Sequence, residues 1–114
     1  MSAKLNSRQV GDVTVVDVSG RITLGEGSAA LREVMRDLVS KNQKKILLNL
    51  GDVTYIDSSG IGELVSGFTT VTNSGGNLKL LNLNKRVKDL LQITKLYTVF
   101  EVHEDEAAAI RSFA

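Results

Sequence analysis

The sequence has no cysteine in its 114 residues, which excludes disulfide bridges, thiolate zinc sites and a cysteine nucleophile. This absence fits a reducing compartment, and we expect a cytoplasmic protein. No apolar run approaches the roughly 20 residues that are needed to span a bilayer. The segment from Met1 to Val10 is polar and contains no signal-peptide core. We therefore expect neither membrane association nor export by that route.

The sequence also has a small net charge and few aromatic side chains. The formal net charge is +1, so no bulk electrostatic attraction draws the chain to nucleic acid. Small basic clusters occur at residues 41–45 and 85–88, but aromatic residues make up only 4% of the chain and accompany neither cluster. We interpret both clusters as the solvated ends of helices and strands, and we expect no nucleic-acid partner.

The residues that are present indicate one globular domain over residues 1–114. Hydrophobic residues make up 42% and charged residues 24%, which is typical of a folded protein rather than a disordered one. A chain of this length can build one core but not two. We find no internal repeat, no low-complexity tract and no interdomain linker.

Strands and helices alternate after a predicted N-terminal hairpin. Glycine and aspartate residues are expected to end or turn the chain at Gly11-Asp12, Gly20 and Gly51-Asp52. The pattern predicts an α/β fold with a mixed, mostly parallel sheet of four to five strands and about four helices mainly on one side. The predicted strands cover residues 4–10, 13–19, 45–50, 77–83 and 97–102, and the predicted helices cover residues 28–41, 59–73, a short segment after 84, and 105–113.

The stretch from Val53 to Phe68 organises this pattern. An apolar approach to Ile56 is followed by a polar break at residues 57–60 and then by apolar residues at helical spacing. The break is therefore a strand-to-helix turn, where Asp and Ser are preferred caps. A hydroxyl held there is exposed and close to the positive end of a helix dipole. Such a position suits a phosphoryl group, either bound or covalently attached.

The simpler interpretation is that these polar residues only cap the helix. Gly60 and Gly62 indicate a role beyond helix capping. Each glycine lowers helix stability by up to about 1 kcal/mol relative to alanine. A sequence selected only for helix stability would not contain both. We expect these glycines to let another backbone approach closely.

The sequence gives little support for catalysis, metal binding or nucleotide binding. His103 follows the last predicted strand beside Glu104 and Asp105, so nothing places it near the serines for a catalytic triad, and we interpret it as a surface residue. The acidic residues 104–106 begin a helix, where the dipole favours carboxylates. No phosphate-loop or dinucleotide-binding motif is present. We expect no cofactor, no metal and no catalytic residue.

Four segments together resemble a known family. These are the run from Asp57 to Gly62, the strand from Ile46 to Leu50, the turn from Val18 to Ile22 and the helix from Val87 to Leu91. They closely resemble the STAS domain of bacterial anti-sigma factor antagonists, over almost the whole chain. In that family the serine directly after the aspartate is phosphorylated by a partner anti-sigma factor that is also a kinase. The matching position here is Ser58.

The resemblance implies a partner-switching regulator without catalytic activity of its own. The unphosphorylated form would bind the anti-sigma factor kinase and so release a sigma factor. The kinase would use ATP and magnesium to phosphorylate Ser58, and a separate serine phosphatase would reset the protein. We expect a monomer or weak dimer. The alternative is a constitutive STAS scaffold subunit of a larger signalling or lipid-transport complex.

Partner contacts are expected along one flank of the central helix and the loops beside it. Whether that flank, which includes Thr70, docks a protein or is an indifferent solvent face is left open by the residues alone. We also expect Ser59 to be the helix cap. The predicted partner-binding residues are Thr23, Asp57, Ser59, Gly60, Ile61, Gly62, Glu63, Ser66 and Gly67.

The sequence departs from the family pattern at Thr23. Many of these antagonists have an aspartate at this position, in a Gly-x-Leu-Asp pattern that takes part in the phosphorylation site. Here the matching run is Gly20-Arg21-Ile22-Thr23. Threonine can form hydrogen bonds but supplies no charge. The efficiency of phosphoryl transfer and the identity of the kinase therefore stay open.

Overall fold

The computed structural model describes residues 3–114, which form a five-stranded sheet in the order β1-β2-β3-β4-β5. Only β1 runs antiparallel to its neighbour, and the remaining pairs are parallel, as predicted. The elements are β1 (Lys4–Val10), β2 (Val13–Ile22), α1 (Glu26–Ser40), β3 (Lys45–Ile56), α2 (Ser58–Asn73), β4 (Asn77–Leu81), α3 (Lys85–Ile93), a 3-10 turn (Leu96–Thr98), β5 (Val102–His103) and α4 (Glu106–Arg111).

Helices α1, α2 and α3 cover one face of the sheet, and α4 covers part of the other. The larger core joins the apolar stripes of the first three helices to alternate residues of the strands, including Leu31, Leu64 and Val87. A smaller core forms where Ala109 and Phe113 pack on the opposite face. The prediction of an α/β fold with helices mainly on one side is therefore confirmed.

Two predicted turns are wrong. Strand β2 continues through Gly20 to Ile22, and β3 runs through Gly51 to Ile56 without a turn. These ends pair with each other in parallel, so ladder hydrogen bonds outweigh the local turn preference of Gly and Asp. The pairing register between the two strands shifts on either side of Gly20, whose φ is +90°. These irregularities allow the two strands to remain paired beyond this glycine. The paired ends extend the sheet to the start of α2.

The predicted strand over residues 97–102 is also wrong. The 3-10 turn occupies its first part, and β5 contains only Val102 and His103. Lys95, with a φ of +61°, begins that turn in the left-handed conformation. Of the apolar residues there, only Phe100 enters the core, so their spacing does not reflect a strand face.

Helix α2 buries most of its predicted apolar stripe. Ile61, Leu64 and Val71 are buried, whereas Val65 and Phe68 are partly exposed and pack against the core edge. Helix α1 begins at Glu26, two residues before its predicted start, and β4 ends at Leu81, two residues before its predicted end. Within residues 3–114 no helix is long and apolar enough to cross a membrane.

Candidate functional site

Asp57 caps α2 and connects it to the loop after β2. Its Oδ1 accepts a hydrogen bond from the backbone N–H of Gly60 at 2.9 Å, and its Oδ2 accepts one from the N–H of Leu24 at 3.2 Å. These backbone donors, the one from Gly60 above all, hold the pKa of Asp57 below its usual value. The carboxylate therefore stays ionised and fixed at the helix start.

Ser58 is the first residue of α2 and is exposed. It follows the capping aspartate directly, so its backbone position is set by the cap. The unpaired N–H groups of the first turn make this the positive end of the helix dipole. The exposed Ser58 thus lies next in sequence to the fixed carboxylate of Asp57.

Ser59 is not the helix cap, and that prediction is wrong. It is the second helical residue and is partly buried, while the cap hydrogen bond is made by Asp57. Aspartate and serine are almost equally good caps, so sequence preference alone does not decide between neighbouring candidates. The end of β3 at Ile56 selects Asp57 as the cap, because the first residue after the strand takes the extended cap conformation.

Gly60 is required by a close backbone approach, whereas Gly62 is not. A Cβ on Gly60 would overlap the carbonyl oxygen of Ile22 at the end of β2 and would lie 2.6 Å from Cγ1 of Ile56. A Cβ on Gly62 would meet nothing within 4 Å, because Gly62 faces solvent. The predicted close approach is therefore confirmed for Gly60 and wrong for Gly62.

The loop between β2 and α1 presents an apolar side chain beside the serines. Thr23 is partly buried, and its carbonyl oxygen accepts hydrogen bonds from the N–H and the hydroxyl of Ser28, at 3.0 and 2.9 Å. Leu24 is 80% exposed, although its N–H is bound by Asp57. The sequence carries no signal for this residue, because a single leucine in a loop looks like any core residue. A shallow depression beside it is lined by Leu24, Gly25, Ser28, Ala29, Arg32, Ser59, Gly62 and Glu63.

The predicted exposed flank of α2 is partly covered by α1. Gly62, Ser66 and Thr70 are exposed, as expected. Glu63 is largely covered, and its Oε1 lies 2.5 Å from Nη2 of Arg32. Its side chain therefore links the two helices instead of standing free.

Gly67 does not lie on that exposed flank, and its predicted placement is wrong. It is buried, and an added Cβ would be 3.4 Å from Cγ of Met35 on α1. A small residue here allows the two helices to approach. Among the other predicted partner-binding residues, Gly60 and Ile61 are also buried, and Gly62 and Ser66 are exposed, as is Ser58. Four are partly buried: Thr23, Asp57, Ser59 and Glu63.

His103 is tied to the C-terminal helix. Its Nε2 lies 2.6 Å from Oε2 of Glu101 and 3.4 Å from Oγ of Ser112. Both contacts use the same ring nitrogen, whereas a serine–histidine–carboxylate relay needs both nitrogens. Ser112 also accepts a hydrogen bond from Lys79 at 2.8 Å, so its hydroxyl is already engaged. Residues 3–114 contain no group of three or more His, Cys, Asp or Glu residues that could hold a metal ion.

A family profile described as the STAS domain matches residues 4–109. The chain belongs to the STAS domain family. The resemblance seen in the sequence is thereby confirmed, and the STAS domain includes all five strands and the helix that begins at Ser58.

Several relatives of this STAS domain are named as anti-sigma factor antagonists. The anti-sigma-B factor antagonist of Bacillus subtilis is 31% identical over 102 residues, which cover 90% of this chain and 92% of that protein. TM1081 of Thermotoga maritima has a crystal structure that superimposes with a TM-score of 0.88 at 24% identity, covering 96% of this chain and 93% of that one. The Bacillus cell fate determinant SpoIIAA in its phosphorylated form gives a TM-score of 0.77 at 18% identity, covering 97% and 100%. The two structures support the fold alone.

Proposed function

We propose that this STAS domain is an anti-sigma factor antagonist whose binding is switched off by phosphorylation of Ser58. The observation that carries the proposal is the exposed Ser58 hydroxyl at the first position of α2, beside the Asp57 cap. The names of its relatives support the class of partner. SpoIIAA, which shares the fold, has been solved in a phosphorylated form, so a domain of this fold can carry a phosphate.

In this proposal the chain supplies an acceptor and a docking surface, and the partner supplies the catalysis. The Ser58 oxygen attacks the γ-phosphorus of ATP bound with magnesium by the kinase. The bond from that phosphorus to the bridging oxygen of ADP breaks, and the hydroxyl proton passes to a base of the kinase. The Asp57 cap fixes the backbone from which the acceptor hydroxyl projects, which limits the positions that the hydroxyl must search for in-line attack. A serine phosphatase removes the phosphate by hydrolysis.

The phosphate acts on the interface and not on the fold. It adds about −1.5 to −2 charge at pH 7. A helix N-terminus favours such a charge by roughly 0.3–1 kcal/mol, and the carboxylate of Asp57 opposes it by a similar small amount. At an interface, however, desolvating or opposing a charge can cost several kcal/mol, and every 1.4 kcal/mol is about tenfold in affinity. Phosphorylation therefore releases the partner from a folded domain.

The docking surface in this proposal is centred on Leu24 and the exposed part of α2. Leu24 offers an apolar side chain that is 80% exposed, and Gly62 and Ser66 leave a low surface beside it. The pair of Arg32 and Glu63 forms a polar rim. Hydrophobic anchors surrounded by polar residues are typical of binding hot spots. Thr23 brings no charge, so any carboxylate that assists phosphoryl transfer comes from Asp57 or from the kinase.

The test is phosphopeptide mapping after incubation with ATP and with an anti-sigma factor kinase that binds the unphosphorylated protein. We expect label on Ser58 in the wild type and in Ser59→Ala, and no label in Ser58→Ala. Label on Ser59 alone, or on neither serine, would reject the switch. Native mass spectrometry distinguishes the switch from the scaffold alternative, because a scaffold forms a large assembly that ATP does not dissociate.

A further inference from the structure

Two arginine side chains stack on one tyrosine at the end of the sheet that carries Ser58. The guanidinium carbon of Arg21 lies 4.8 Å from the centroid of the Tyr55 ring, and that of Arg86 lies 4.0 Å from the same centroid. Both distances are within the range of cation–π attraction. Two like charges are thus held beside one ring, which fixes side chains that would otherwise move freely in solvent.

Arg21 and Tyr55 lie on the sheet face that α1 and α2 leave open, and Arg86 reaches Tyr55 from the start of α3. Arg21 pairs with Tyr55 in the parallel ladder between β2 and β3. Their following residues, Ile22 and Ile56, are fully buried in the larger core, and successive strand residues face opposite sides of a sheet. Both arginines are exposed, and Tyr55 is partly exposed.

The stack is also continuous with the start of α2. The backbone N–H of Asp57 donates a hydrogen bond to the carbonyl oxygen of Ile22, at 3.3 Å. Arg21 directly precedes that acceptor, and Tyr55 lies three residues before Ser58. The stack therefore adjoins the backbone contact between the end of β2 and the start of α2, which is the part of the fold that carries Ser58.

The neighbouring cations of α3 are neutralised, and the stacked arginines are not. Nζ of Lys85 lies 2.9 Å from Asp89, and Nζ of Lys88 lies 3.2 Å from Glu104. Among residues 3–114 neither Arg21 nor Arg86 forms an ion pair. Because neither guanidinium is engaged in an ion pair, its N–H groups remain available for a ligand. The edge of a guanidinium matches a carboxylate with two parallel hydrogen bonds.

We propose that Arg21, Tyr55 and Arg86 form a carboxylate-binding site for an acidic segment of the protein that docks at Ser58. The proposal rests on the proposed function for its partner, but the anion site can be tested without it. The arginines supply the hydrogen bonds and the charge, and Tyr55 holds them in place. A protein segment is favoured over nucleic acid, because only two free cations are gathered here and the net charge of the chain is only +1.

The first experiment titrates the whole 15N-labelled protein with an acetylated tetraglutamate peptide at low ionic strength. We expect the Nε–H resonances of Arg21 and Arg86 to shift saturably. Tyr55→Leu should weaken binding by at least about fivefold, because the arginines lose their support, whereas Tyr55→Phe keeps the ring and should bind like the wild type. Arg111→Gln removes one positive charge elsewhere on the surface and should bind like the wild type, which controls for the net charge of the protein.

Two results would overturn the site. One is the absence of saturable shifts at these arginines, and the other is equal weakening by Tyr55→Phe and Tyr55→Leu, which would assign the effect to the fold or the hydroxyl. Titrations with inorganic phosphate and with a short RNA show whether another anion binds the stack better than the peptide does. If either binds the stack more tightly than the peptide, the carboxylate assignment is wrong.

The second experiment measures binding of the kinase to the unphosphorylated protein. The double variant Arg21→Glu/Arg86→Glu should bind at least about tenfold more weakly and lose most of its dependence on salt, while Arg111→Glu should not. Normal kinase binding by the double variant would overturn the role in docking. If the wild type does not bind the kinase at all, the proposed function fails, whereas the peptide titration still decides the anion site.

Discussion

The carbonyl oxygen of Ile22 occupies the place where a side chain on Gly60 would begin. Ile22 is the last residue of β2, and Gly60 lies in the first turn of α2. The contact therefore fixes how closely the helix start approaches the end of the sheet. Because Ser58 precedes Gly60 by two residues, the same contact sets the position of the proposed acceptor.

Gly60 and Gly62 form a matched pair for testing this contact. Gly60→Ala should destabilise the domain by about 1–3 kcal/mol, because its Cβ would overlap backbone at Ile22. Gly62→Ala should be neutral or stabilise by up to about 1 kcal/mol, since its Cβ would meet open space in a helix. Urea unfolding of both variants measures the difference. Equal effects would mean that the approach of β2 to α2 is misplaced.

The inner face of α2 is tested by Leu64, which is 1% exposed. Leu64→Ala should lower the free energy of unfolding by roughly 2–5 kcal/mol, because it leaves a cavity in the larger core. Ser66→Ala, on the exposed side of the same helix, should change it by less than about 0.5 kcal/mol. A loss below about 0.5 kcal/mol for Leu64→Ala would mean that the face is assigned wrongly.

The Ser58 variants separate the fold from the interface. Ser58→Asp should keep the thermal stability of the wild type and yet bind the kinase at least about tenfold more weakly. Ser58→Ala should bind permanently, because it accepts no phosphate. Calorimetric titration with the kinase, with and without ATP, measures both. If Ser58→Asp and Ser58→Ala bind the kinase with equal affinity, a negative charge at this position is not the switch.

Leu24 is expected to anchor the partner without stabilising the fold. Leu24→Ser should lower affinity for the kinase by at least about fivefold, because it removes an exposed apolar side chain from the proposed docking surface. Ile93→Ser is the control, since Ile93 is 77% exposed at the end of α3. Both variants should unfold at the wild-type temperature. If Ile93→Ser weakens binding as much, Leu24 is not a specific anchor.

Acid should destabilise the domain through the carboxylates that Arg8 binds. The guanidinium of Arg8 lies 2.7 Å from Asp17 and 2.5 Å from Glu106 and lowers the pKa of both. Their usual values are about 3.9 and 4.3, so the folded state binds fewer protons than the unfolded chain in acid. Their stabilising contribution is complete above about pH 5 and is lost as the pH falls through the lowered folded pKa values.

Thermal unfolding between neutral pH and pH 3 measures this loss. Arg8→Met should flatten the pH dependence, because the two carboxylates then return toward their usual pKa values. Lys41→Met, which disrupts a solvent-exposed pair with Asp37 at the end of α1, should leave it almost unchanged. An unaltered slope in Arg8→Met would show that other carboxylates dominate the acid response.

Much of the local structure follows from the sequence alone. The helical spacing of Ile61, Leu64 and Val71 predicts the buried stripe of α2 because a 3.6-residue period places them on one face. The cap at Asn84, whose side chain accepts a hydrogen bond from the N–H of Val87, follows from local preference. The polar break after Ile56 likewise marks a helix start that holds two serines, because polar caps and helix starts are short-range features, and the resemblance to the family selects Ser58 between them.

The remaining features depend on contacts between segments that are distant in the sequence. The continuation of β3 through Gly51 requires pairing with β2, and the need for glycine at position 60 requires the carbonyl of Ile22. The burial of Gly67 requires α1 to pack against α2. Likewise, Arg21 and Arg86 meet on one tyrosine ring only because parallel strand pairing and the position of α3 bring them there. Local propensities differ by about 1 kcal/mol or less per residue, so ladder hydrogen bonds and core packing outweigh them wherever the two disagree.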